Sequence, residues 1–225
     1  MTGSVQKKWF PILFIILLFP LLTQAQVIKG KKNQAIARQA INDIQNNGAL
    51  VLRLKTKRNK IEKLNELLAR PDLEEKDKKK LMKELKTTIE ERDKYNYEIT
   101  KAFNTYYKFS AFYFMHDTSS VALKNGEKSG FLLDKDLNID PNITITQDSF
   151  FVAYTGSLNA SNMEALIIMN SRFEVLPSPF PYYIRVNLFG RVLVKIFAPK
   201  KVVRKDMKKI VTRLEKNLNN FYKKP

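Results

Sequence analysis

Cysteine is absent from all 225 residues of the chain. No lipid can be attached through an N-terminal cysteine, no thiol redox chemistry is available, and no cysteine-ligated zinc site exists. Alternating strands and helices could suggest a thioredoxin-like protein, but that activity is excluded without a Cys-x-x-Cys. Histidine is nearly absent: His116 stands alone, so no metal site with two imidazole ligands fits within one chain. Glycine is scarce, at seven residues. There is no glycine-rich phosphate loop, no Gly-x-Ser-x-Gly elbow and no His-Glu-x-x-His. The longest apolar run, Trp9–Leu22, falls short of the roughly 20 residues a membrane-spanning helix needs. No metal and no cofactor is expected.

What is present begins at the N-terminus. Lys7 and Lys8 precede the apolar run, and Thr23-Gln24-Ala25 places small residues just before Gln26. This is the pattern of a secretory signal peptide over residues 1–25, cleaved before Gln26. An uncleaved anchor is the competing reading, for which the run is short. The chain is expected to be exported, periplasmic or secreted, with a bacterial periplasm favoured by its cysteine-free composition. Residues 26–225 are expected to form a single α/β domain, since about 200 residues can build a core without disulfides.

Charge is the strongest compositional signal. The formal net charge is +18. Residues 26–107 hold 20 basic and 12 acidic side chains, residues 108–198 hold 8 of each, and residues 199–225 hold 10 and 2. A neutral middle is flanked by two basic ends. In the first part the excess lies between Lys29 and Lys60, where nine basic residues face Asp43 alone.

Apolar periodicity predicts a first helix over 32–46, with Ala35, Ile36, Ala40, Ile41 and Ile44 recurring at helical spacing. A buried strand follows at 49–54. Helical spacing returns over 58–69, Pro71 interrupts it, and 72–106 reads as one long helix. Its seam of Leu81, Leu85, Thr88, Arg92, Tyr95, Ile99, Ala102 and Tyr106 resembles a coiled coil. Acid-to-base pairs four residues apart, such as Glu74–Lys78, flank the seam. The two helices make a helical hairpin over 58–106. Such a helix runs roughly 50 Å, longer than the roughly 40 Å diameter of a compact body this size, so the tip should project.

The stretch 108–115 is apolar on both faces and reads as a central strand. A short helix over 119–124, capped by Ser119, and strands at 130–133, 149–155, 164–169, 173–176 and 182–186 complete the middle, with a turn at Asn170-Ser171. Residues 188–197 fit strand or helix equally. A basic helix at 201–222 carries the stripe Val203, Met207, Ile210, Leu214, Leu218 and Phe221. The expected fold is α/β or α+β: a mixed sheet of about five or six strands with packed helices and a projecting helical hairpin inserted after the first strand.

Four motifs invite a site. His116 and Asp117, with Ser119 nearby, end a strand, where open α/β sheets bind ligands, so an acid–base or hydrolase-like centre is conceivable. Asp134, Asp136, Asn138 and Asp140 alternate like calcium ligands, but Ile139 and Ile145 stand where an EF-hand needs Gly and Glu, which favours a turn. Asn142-Ile143-Thr144 and Asn159-Ala160-Ser161 match the glycosylation sequon. Pro177-Ser178-Pro179-Phe180-Pro181 could be read by a partner or could simply be a rigid loop.

The basic ends weigh more. Lys200, Lys201, Arg204, Lys205, Lys208, Lys209, Arg213 and Lys216 crowd one helix and would attract an anionic lipid or polysaccharide surface. The apolar stripe could enter a membrane interface or dock on the sheet. The favoured expectation is a non-enzymatic envelope-associated protein that binds an anionic surface, or a protein partner through the hairpin. A small hydrolase-like enzyme at His116 and Asp117 is the alternative. Nucleic acid is the weakest partner, since no binding module is recognisable.

Overall fold

The structure is a computed structural model, and it describes residues 30–158, 163–185 and 199–224. The signal peptide, its cleavage before Gln26, residues 188–197 and the sequon at Asn159 lie outside the described residues. The chain is an α+β protein with a mixed five-stranded sheet and five helices.

Helix α1 spans 30–47 and runs straight into strand β1, Gly48–Leu54. A Cβ at Gly48 would stand 2.5 Å from the Asp43 carbonyl oxygen, so the join needs glycine. The buried residues of α1 are Ala37, Ala40, Ile41 and Ile44. Ala35 and Ile36 point outward instead, Ile36 being 39% exposed. The core face of the described helix sits a little later than the periodicity alone places it.

After β1 come helices α2 (Arg58–Leu68) and α3 (Glu75–Tyr106), then strand β2 (Ala111–His116). A 3-10 turn, Asp117–Ser119, leads into helix α4, Ser120–Lys124. Strands β3 (Ser149–Leu158), β4 (Met163–Met169) and β5 (Tyr183–Arg185) follow, and helix α5 (Pro199–Tyr222) closes the described chain. The sheet order is β2-β1-β3-β4-β5. β1 pairs in parallel with β2 and β3, while β3–β4 and β4–β5 are antiparallel.

Strand β2 is therefore an edge strand, not the central one its composition suggested. Its two apolar faces have separate explanations. Phe112 and Phe114 meet Phe103 of α3 on one side. Tyr113 and Met115 lie under an irregular layer on the other. That layer also hydrogen-bonds the end of the strand, through Leu133 N–H to the Phe114 carbonyl at 2.9 Å. Covering both faces does not require a neighbour on both edges.

Alternation along β1 divides the core. Leu50, Leu52 and Leu54 face the helical layer of α1, α3 and α5. Ala49 and Val51 face the irregular layer, with Leu123, Phe131, Leu132 and Ile145. Residues 130–133 and 173–176 make only isolated bridges rather than strands. Asp134 accepts N–H bonds from Asp136 and Asn138 at 2.9 and 2.8 Å, so this acidic stretch is a self-bonded turn. The turn at Asn170 is present, closed by Asn170 N–H to the Glu174 carbonyl. Phe180, in the proline-rich segment, is buried in the core rather than presented to a partner.

The hairpin follows from where burial stops. In α3 the buried residues are Thr88, Asn96, Ile99, Thr100, Ala102 and Phe103, and in α2 only Leu64. The turns nearer the tip carry no buried residue. Lys60–Glu84, at 3.0 Å, links the two helices. Along α3, Lys78 reaches Glu75 and Lys80 reaches Asp77, so three-residue spacings replace the predicted Glu74–Lys78 pair.

Candidate functional site

Two basic surfaces emerge among the described residues. The first lies along α5. Met207, Ile210, Val211, Leu214 and Leu218 are buried against the sheet and α3. Arg38 Nη1 donates to the Phe221 carbonyl at 2.8 Å, tying the helix end to α1. Glu215 accepts N–H bonds from Lys108 and Phe109, tying it to the start of β2. The apolar stripe is thus consumed inside the protein.

The outward face holds Arg204, Lys205, Lys208, Lys209, Arg213 and Lys216, all exposed. Arg185 of β5 joins Lys205, Lys208, Lys209, Arg213 and Lys216 around an open groove of about 590 Å³, in which Asp206 is the only acid among the described residues. Lys208 sits over the Tyr106 ring, 5.2 Å from its centroid. Lys200 and Lys201 belong to the same helix, but their side chains lie outside the described residues.

The second surface is at the carboxyl ends of the parallel strands. Arg53, Lys55, Thr56, Lys57, Arg58 and Asp117 are among the residues lining a crevice of about 510 Å³. Its floor is held by Asn96, only 6% exposed on α3. Asn96 Oδ1 accepts the Lys55 N–H at 3.2 Å and its Nδ2 donates to the Lys55 carbonyl at 2.9 Å. Asn96→Leu would leave both Lys55 groups without partners. At about 1–3 kcal/mol for each orphaned group, the variant should lose about 2–6 kcal/mol in a urea unfolding titration. An unchanged midpoint would mean that water replaces the amide.

Asp117 is placed here, but as a clamp. Its Oδ1 accepts from the Thr56 hydroxyl at 2.6 Å and from the Thr56 N–H at 3.2 Å, joining the end of β1 to the end of β2. His116 is half-buried and does not line the crevice. Burial pushes its pKa down; Asp117 opposes this and Arg92 adds to it. Ser119 is the residue before α4, yet its side chain makes no cap bond; the short 3-10 turn replaces the expected cap. The three sequence neighbours do not form a nucleophile–base array.

No protein-family model matches the chain, and neither a curated protein nor a solved structure does. Among the described residues no group of His, Asp or Glu could hold a metal ion, and no helix is long and apolar enough to cross a membrane.

Two crevice residues were not singled out from the sequence. Arg53 lies over the rings of Tyr154 and Phe173, at 5.5 and 5.8 Å. Its Nε is fully buried and has no hydrogen-bond partner among the described residues. Such a donor costs about 1–3 kcal/mol. Lys57 caps α2 with φ 56°, a left-handed conformation that disfavours a side chain. Lys57→Gly should raise stability by about 0.5–1 kcal/mol, read by thermal unfolding; a loss would show that the lysine side chain contributes packing. The signal for Lys57 is the run Lys55-Thr56-Lys57-Arg58 directly after an apolar strand, where open sheets place ligands; for Arg53 it is a lone cation inside that apolar strand.

Proposed function

We propose that the protein is an exported, non-enzymatic envelope-associated protein that attaches to an anionic surface through the outward face of α5. One observation carries this reading: the helix spends its apolar stripe on the core and turns six cations outward, five of them around a groove with a single acid among its described residues. Attachment of this kind is electrostatic and peripheral, without insertion of the helix. It draws on counter-charge at the surface and weakens with salt.

Anionic lipid headgroups and acidic polysaccharide offer the same chemistry. The test is co-sedimentation of the purified protein with phosphatidylglycerol vesicles, with neutral vesicles and with an insoluble acidic polysaccharide, at low and high salt. Salt-sensitive retention on one anionic support alone identifies the surface. Equal retention on neutral vesicles, or none on any support, sinks the reading. The hydrolase alternative has less support, because Asp117 is engaged by Thr56 and His116 stands outside the crevice.

A further inference from the structure

The cations of α5 are spread around half of the helix. At about 100° per residue, Arg204 and Arg213 lie half a turn apart, and Lys205, Lys208, Lys209 and Lys216 fall between them. The opposite half is the buried stripe of Met207, Ile210, Val211, Leu214 and Leu218. Arg204 and Arg213 therefore mark two flanks, and the four lysines mark the crest. Each flank opens on its own groove. On the β5 side, Arg213 and Arg185 line the groove of about 590 Å³. On the α3 side, Arg204 and Lys101 line a second groove of about 370 Å³, with Glu98 its only acid among the described residues. Lys205 and Lys208 line both grooves and join the two linings over the crest.

Shape and chemistry then select among anionic partners. A bilayer is flat over the roughly 10–12 Å width of a helix, so it meets the crest and leaves the flank cations beside it. A flexible chain of spaced anions can leave one groove, cross the crest and enter the other. Five lysines and three arginines line the two grooves. An ammonium group acts as a point charge without a preferred fork geometry, which suits single carboxylates spaced along a polymer. Binding of nucleic-acid bases would call for open aromatic faces. Tyr106 is the only aromatic residue in the two linings among the described residues, and Lys208 lies over its ring at 5.2 Å.

We infer that the partner is an acidic polysaccharide, a chain with carboxylates on successive sugars, which crosses α5 from one groove to the other over Lys205 and Lys208. This names the partner of the surface-binding reading and rests on it. The contact is electrostatic along its whole length, so affinity falls as salt rises.

The test is a calorimetric titration of the purified protein with polygalacturonate, with phosphatidylglycerol vesicles and with single-stranded DNA, at one salt concentration and matched anion concentration. Polygalacturonate is expected to bind tightest. Two double variants separate the flanks: Lys101→Gln with Arg204→Gln, and Arg185→Gln with Arg213→Gln. All four residues are exposed, so the unfolding midpoint should hold. Each double variant should weaken polygalacturonate binding about fivefold, as for the loss of two exposed ion pairs, and should weaken vesicle binding by less. A flank variant that binds polygalacturonate as wild type does, or that loses vesicle binding equally, would show that no chain crosses the helix. Tighter binding of DNA would replace the polysaccharide with nucleic acid and overturn the inference. Binding to vesicles alone would overturn it too, while leaving the surface-binding reading in place; binding to none of the three would sink both.

Discussion

Phe103→Ala is expected to lower the unfolding free energy by about 3–5 kcal/mol, the range for deleting a buried aromatic side chain. Phe103 is fully buried and lies at the meeting of α3 with the sheet. Its ring centroid is 5.3 Å from Tyr107, 6.0 Å from Phe112 and 6.3 Å from Phe114. No small movement fills the space, because helix and strand are both held by backbone bonds. Tyr107 beside it is equally buried, with its hydroxyl hydrogen-bonded to Ser110 at 2.8 Å and its pKa pushed up by that burial. For a domain with 5–15 kcal/mol in total, the loss would be a large fraction of stability. A urea titration reads it directly. A change below about 1.5 kcal/mol, the ordinary cost of a volume-conserving swap, would mean that the cluster repacks and that α3 is held mainly elsewhere.

The second large effect concerns the α5 face. Lys205, Lys209 and Arg213 are four residues apart, so they stand one above another on one side of the helix. All three are exposed and none forms an ion pair among the described residues. At about 1 kcal/mol per basic residue near an anionic membrane, reversing all three to Glu should weaken binding to phosphatidylglycerol vesicles about 100-fold or more. Unfolding should shift by no more than about 0.5 kcal/mol, as for exposed sites without partners. Undiminished binding by a folded triple variant would remove α5 as the contact surface and direct the search to the hairpin.

The two effects test different layers. Phe103 answers for the packing that orients α3, and α3 carries Asn96 beneath the crevice. The α5 cations answer for a surface that contributes little to the fold. A variant that loses stability but binds normally, set beside one that binds poorly but unfolds normally, would separate architecture from function.

Much of the architecture was legible in local sequence. Period-3.6 apolar spacing marked α1, α2, α3 and α5, because each buries one stripe and solvates the rest. Pro71 and the charged residues around it marked the hairpin turn. The apolar run after Gly48 marked β1. The basic excess of α5 is plain from composition, and Arg204, Lys205, Lys208, Lys209, Arg213 and Lys216 are all exposed on it. Sequence also excluded whole chemistries: without cysteine, and with His116 alone, thiol centres and multi-histidine metal sites cannot be built from one chain.

Tertiary structure alone decided the rest. Local pattern cannot tell an edge strand covered on both faces from a central one, so β2 was misplaced until its pairing was known. It cannot tell whether an amphipathic helix meets a membrane or a sheet, since both ask for the same stripe; the docking of Met207, Leu214 and Leu218 on the sheet answered that. Nor could it join Arg53 to Tyr154 and Phe173, or Thr56 to Asp117, because those contacts cross from one strand to another. Periodicity records which residues avoid water. Which of them meet, and which donors are left without a partner, depends on how distant segments are brought together.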